Sequence, residues 1–180
     1  LSKGVDITEF VQPYKGWFKQ EYFDSEAPVS HMTLNSPSCS AFSGFIASEI
    51  VERLKNGSMT LLGRVGEVSP PFIVMPFSVE PTKPRLVHDD RFLNLWIKDM
   101  PFTLDGVKDV PHIVGKGDPM FTLDEKSAYD NIRLADSSKC YFGAQFQGWW
   151  LQYNCIPFGA KMSAYVYNSV GSVLTSYLRK

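Results

Sequence analysis

The sequence predicts an α+β domain, and three patterns within its 180 residues carry that prediction. The apolar residues Phe42, Phe45, Ile46, Ile50 and Leu54 recur at three- and four-residue steps, which marks an amphipathic helix over Ser40 to Asn56. Alternating aromatics on either side of Gln147-Gly148, in "CYFGAQF" and "WWLQYN", mark a β-hairpin closed by a two-residue link. From Ser163 onward Val166, Val170, Val173, Leu174 and Tyr177 return to helical spacing and keep it to the end of the chain.

The remaining elements fall between these. Residues 1–39 mix aromatics with Pro, Ser and Asp in weak periodicity and read as an extended or loosely docked arm; residues 40–180 form the domain proper. Asn56-Gly57 stops the first helix. The stretch "GSMTLLGRVGEVSPPFIVMPFSVEP" is β-branched and apolar, with Pro and Gly as punctuation, and predicts two short strands, the second around Phe72 to Phe77. "RLVH", Arg85 to His88, predicts another strand; "PHIV" followed by "GKGDP" predicts a helix end and a turn; and Met120 to Leu123 predicts a strand delivering Asp124.

Composition excludes several classes. An apolar fraction of 44% supports a real core, and a formal net charge of −1 gives no global positive field toward nucleic acid. No run of about 18 apolar residues is present, and "LSKGVDITEF" lacks the layout of a signal peptide, so an intracellular place in cytoplasm or nucleus is expected, with no membrane partner. Cys39, Cys140 and Cys155 match neither a disulfide framework nor a zinc spacing and read as buried free thiols in a reducing compartment. His31, His88 and His112 show no metal-ligand spacing.

The chemistry-bearing residues are few. In "TKPRLVHDDRFLNLW", Lys83 and Arg85 would share one face of a strand and could grip a triphosphate, Arg by a bidentate fork and Lys as a point charge; solvated surface charges are the plain alternative. Asp124, at the C-terminal end of a strand, suits Mg²⁺, with Mn²⁺ as a possible substitute. One carboxylate does not suffice. Alternation turns the Glu125 side chain away, leaving its carbonyl as the ligand, and Asp130 reads as a helix-start or surface residue. Tyr129 would either floor a sugar pocket, clashing with a ribose 2′-OH, or pack the core. The hairpin aromatics read as an apolar face packed on the domain, with base stacking as the alternative. In "IPFG", Gly159 permits close backbone approach to a ligand, and Phe158 sits where its ring could support a base.

Taken together, "VEPTKPRLVHDDRFLNLWIKD", "DEKSAYDNI" and "PFGAKMSAYVY…TSYLRK" resemble, in order and spacing, the fingers and first half of the palm of retroelement reverse transcriptases. The DIRS/Ngaro group of tyrosine-recombinase retrotransposons is the most similar, and the resemblance covers about two-thirds of the chain, from Leu62 to Lys180. It implies an RNA-directed DNA polymerase with a right-hand fingers/palm fold of antiparallel strands packed on helices. The implied reaction adds deoxynucleotides to a primer 3′ end on an RNA or DNA template. Asp124 would hold two Mg²⁺ ions; Lys83, Arg85 and the backbone at Ser127 and Ala128 would position the triphosphate; Tyr129, Phe158 and Gly159 would shape the sugar and base pocket. Asp89, Arg91 and Asn94 would be structural, joining fingers to palm.

One departure bears on activity. After Asp136 the chain contains no Asp or Glu, and the family's aromatic-x-Asp-Asp hairpin, which supplies the other metal ligands, is expected shortly after Lys180, with thumb and RNase H regions elsewhere in a polyprotein. A competing reading is a non-catalytic, decayed or co-opted fragment that binds nucleic acid or protein.

Overall fold

The computed structural model describes residues 3–104, 106, 108, 110–120 and 127–178. At its centre is a five-stranded sheet in the order β3-β5-β8-β9-β4, formed by β3 (His31–Met32), β4 (Met59–Arg64), β5 (Ile73–Val74), β8 (Gly143–Phe146) and β9 (Trp149–Tyr153). The pairs β4–β9 and β8–β9 are antiparallel. The two-residue strands β3 and β5 extend the sheet by parallel pairing, an addition too short to leave a period in the sequence. Two further hairpins flank it: β1 (Tyr14–Phe18) with β2 (Glu21–Ser25), and β6 (Phe77–Glu80) with β7 (Arg85–His88).

Helix α1 spans Ser43–Lys55, following a 3-10 turn over Pro37–Phe42, and buries Ile46 and Ile50 in the core. It stops as its sequence suggests: Gly57 takes a φ of 75°, the left-handed conformation glycine reaches without strain. The β8–β9 link is equally specific. Gln147 and Gly148 have φ of 46° and 80°, and two consecutive positive φ values twist a two-residue turn to match its strands. The hairpin aromatics serve packing, with Phe142, Trp150 and Tyr153 all buried.

Short helices α2 (Val110–Ile113) and α3 (Asp136–Lys139) precede α4 (Ser163–Leu178). The start of α4 is tied down by Ser163, whose hydroxyl donates to the Pro157 carbonyl at 2.6 Å. Its apolar stripe is buried only at the beginning: Val166 is in the core, whereas Val173 and Tyr177 are exposed.

The N-terminal segment departs from the loosely docked arm that its weak periodicity suggests. Val5 exchanges hydrogen bonds with Arg133 and Ala135, and Ile7 is fully buried. The β1–β2 hairpin is seated by aromatics, Phe23 lying edge-on to Phe92 and Trp96, while the Trp96 indole donates to the Ser25 hydroxyl at 3.0 Å. These contacts join residues far apart in sequence, so no local pattern announces them. Cys39, Cys140 and Cys155 are free thiols, the first and last buried. No helix among the described residues is long and apolar enough to cross a membrane.

Candidate nucleotide site

The β6–β7 hairpin forms one wall of a cavity of about 710 Å³. Its antiparallel register sets Glu80 opposite Arg85, so the four residues Pro81 to Pro84 make the turn. Lys83 therefore lies in that turn and not on the strand, and the expected sharing of a strand face with Arg85 does not occur. Pro81 and Pro84 carry no N–H with which to prolong the ladder. Both cations are exposed; Arg85 lines the cavity, and Lys83 is outside its lining.

A second wall comes from Ser127 and the 3-10 helix Ala128–Asn131. Ser127 adopts the left-handed conformation (φ 53°, ψ 44°), which turns the chain sharply into that helix. Tyr129 is half-buried and gripped on two sides, its ring edge-on to Phe158 at 5.6 Å and to Tyr167 at 5.5 Å. Asp130 stands in the first helical turn, as its sequence position suggests, and also lines the cavity.

The Ile156–Phe158 segment closes a third side, with the Phe158 ring 80% exposed. The close approach at Gly159 is to the chain itself: a Cβ there would lie 2.3 Å from the His88 carbonyl oxygen and 2.8 Å from Asp90 Oδ2. Asn94 fastens the same turn, its Nδ2 donating to the Gly159 carbonyl at 2.9 Å and its Oδ1 accepting from the Lys161 N–H at 2.8 Å. Asp89 pairs with Arg91 through both carboxylate oxygens, at 2.8 and 2.6 Å. Asn94 thus ties distant segments together, whereas Asp89 and Arg91 make a local pair at the surface.

Three further groups at the site were not singled out by the sequence. From α1, Glu49 and Arg53 reach the cavity, Arg53 Nη1 donating to Glu49 Oε2 at 2.7 Å; their i, i+4 spacing was the available signal. The third is a buried His88–Asp90 pair behind the wall, with Nδ1 2.7 Å from Oδ1, for which "HDD" after an apolar strand was a faint sign. Burial alone would depress His88, but Asp90 and the Gly143 carbonyl outweigh it and hold the imidazole above its ordinary range. Burial likewise pushes the Asp90 carboxyl up, against the pull of His88, and pushes the Tyr153 phenol up.

The described lining carries three carboxylates (Glu49, Glu80, Asp130) against two guanidiniums (Arg53, Arg85). Asp124 and Glu125, with most of the strand expected to deliver them, lie outside the described residues. Among the described residues no three His, Cys, Asp or Glu side chains converge to hold a metal ion.

No family model matches the chain, and no curated protein matches it at a significant level. Solved structures do. The native prototype foamy virus protease-reverse transcriptase aligns over 96% of this chain, at 15% identity and a TM-score of 0.63. The foamy viral protease-reverse transcriptase dRH in complex with double-stranded DNA aligns over 85%, at 15% identity and a TM-score of 0.62. The foamy viral enzyme in complex with an RNA/DNA hybrid aligns over 85%, at 14% identity and a TM-score of 0.63. The chain spans 21%, 26% and 20% of those proteins, respectively. At such identities the likeness is one of fold: the chain has an α+β, reverse-transcriptase-like fold.

Proposed function

We propose that this chain is the fingers and first half of the palm of a retroelement RNA-directed DNA polymerase, of the DIRS/Ngaro type, and that its cavity takes the incoming deoxynucleoside triphosphate. One observation carries the reading. Arg85, Ser127 to Tyr129 and Phe158, picked from three distant segments, line the same cavity. Surface residues with unrelated roles have no reason to converge in this way.

The parts suit the task. Arg85 presents an exposed guanidinium whose planar fork matches phosphate oxygens, and Lys83 in the adjoining turn adds a point charge. The Tyr129 ring, edge-on to Phe158 and Tyr167, would exclude a ribose 2′-OH by contact. Phe158 offers a free aromatic face on which a base can stack. With three carboxylates around two guanidiniums, the described lining would repel a bare triphosphate. Divalent cations on the triphosphate would offset that charge. Asp124, with the Glu125 carbonyl, would hold Mg²⁺, which when bound neutralises developing phosphate charge and acidifies a primer hydroxyl. The rest of the catalytic carboxylate set, the primer and the template would be met by the complete polymerase.

Titration of the chain with a fluorescent N-methylanthraniloyl dATP in Mg²⁺ tests this reading. Saturable, Mg²⁺-dependent binding is expected. Arg85→Ala should weaken it roughly tenfold to a hundredfold, since a charge-assisted contact is worth about 1.5–3 kcal/mol. Binding that ignores Arg85→Ala, or no binding at all, would remove the cavity from consideration.

A further inference from the structure

We propose that the buried His88–Asp90 pair is a positioning device for the nucleotide cavity, seating the Pro157–Phe158–Gly159 turn on the strand that carries Arg85. The inference rests on the reading of the cavity given above and concerns what sets its shape. His88 ends β7, three residues after Arg85, and is 3% exposed; Asp90 is 1% exposed. The His88 carbonyl and the Asp90 carboxylate form the floor against which Gly159 rests, too close to admit a Cβ. On its other side His88 Nε2 lies 3.0 Å from the Gly143 carbonyl on β8. The pair thus bridges the end of β7, the central sheet through the His88 ring, and the turn that presents Phe158 through the Asp90 carboxylate.

An ionisable pair is a costly way to fill a core. Apolar residues of similar volume commonly give equal or greater stability, so what such a pair offers is a particular arrangement. That arrangement depends on a proton. Nε2 meets the Gly143 carbonyl at 3.0 Å, while Nδ1 lies 2.7 Å from Asp90 Oδ1, an ion-pair distance without hydrogen-bond alignment. The buried pair is charge-compensated only while it holds one proton, on the ring as an imidazolium opposite a carboxylate or on Asp90 itself. The other groups facing the pair are Asp89 beside it in sequence, the Tyr153 ring on β9 at 4.8 Å, and Arg53 of α1 beyond Tyr153. Loss of that proton leaves an uncompensated buried carboxylate directly beneath Gly159, and the turn must shift.

Asp90→Asn keeps the shape and removes the charge. Two readouts on the 180-residue chain decide the matter: affinity for the fluorescent dATP, and the hydrogen-exchange protection factor of the Lys161 amide, which Asn94 holds. At pH 6.5 the variant is expected to bind at least tenfold more weakly and to lose at least tenfold in Lys161 protection, with β8–β9 protection retained. From pH 6.5 to 9 wild-type affinity and Lys161 protection should fall toward those of the variant, whose ratio to wild type thereby narrows. A folded variant with unchanged affinity and protection overturns the proposal. So does a loss accompanied by uniform loss of protection across the domain and by no narrowing with pH, which marks the pair as core alone. If wild type binds no nucleotide, the cavity reading fails while Lys161 protection still decides the positioning. If Asp90→Asn does not fold, the pH dependence of wild-type Lys161 protection, which needs no variant, is decisive.

Discussion

Gly159→Ala separates two roles for this glycine, room for a ligand and room for the chain's own backbone. The φ of Gly159 is not positive, so alanine meets no conformational strain and the effect is purely steric. The added Cβ would stand 2.3 Å from the His88 carbonyl oxygen and 2.8 Å from Asp90 Oδ2. A relaxed contact needs about 3.4 Å, so the turn and β7 must part by roughly 1 Å. The turn is also held by both hydrogen bonds of Asn94, which lies beyond β7 in the 3-10 turn Leu93–Trp96, and the atom to be displaced is backbone. Overpacking of this kind costs about 1–3 kcal/mol. For a chain of this length, about 2 kcal/mol lowers Tm by roughly 4–8 °C. A thermal melt followed by circular dichroism measures it, with urea denaturation to confirm an unchanged m-value. A variant melting within about 1 °C of wild type would refute the backbone contact and return Gly159 to a ligand-facing role.

Two further outcomes follow from particular contacts. Trp96→Phe removes the indole donation to Ser25 and part of a fully buried ring, so it should cost roughly 2–4 kcal/mol, with amide exchange rising most in the Tyr14–Ser25 hairpin; exchange that rises equally throughout the domain would deny the hairpin its anchor. Tyr129→Val, in a polypeptide continued through an aromatic-x-Asp-Asp hairpin, should lower the ratio of kcat/KM for dCTP over rCTP; because Tyr129 is only half-buried, the stability loss should stay below the roughly 3 kcal/mol of a fully buried aromatic. An unchanged ratio in a destabilised variant would make Tyr129 a packing residue.

The features legible in the sequence are those with a local cause. Asn56-Gly57 needs a left-handed glycine, Gln147-Gly148 a two-residue turn, and the Phe45, Ile46, Ile50 pattern a buried helix face; each appears where its chemistry requires it. The features that escaped depend on distant partners. Val5, Phe23 and His31 bind the N-terminal segment to the body through Leu134, Phe92 and Ile73, none of which is near in sequence. At the site, the strand of Arg85 was foreseen, and Phe158 was expected beside a base, whereas the register that puts Lys83 in a turn depends on Glu80 pairing with Arg85. His88 and Asp90 were overlooked because adjacent polar residues after a strand look solvated; Phe77, Gly143, Tyr153 and the Gly159 turn, all distant in sequence, bury them.

The central claim, that this chain belongs to a nucleotide-polymerising site, meets its most direct test at Asp124. In a polypeptide that continues the chain through an aromatic-x-Asp-Asp hairpin, primer extension on poly(rA)/oligo(dT) with Mg²⁺ should proceed. Asp124→Asn should abolish it without altering the circular dichroism spectrum, since it removes a charge and keeps the shape. The 180-residue chain alone, with too few carboxylates to ligate two ions, should show no incorporation. Asp124→Asn activity within tenfold of wild type, equivalent to about 1.4 kcal/mol of barrier, would contradict the account.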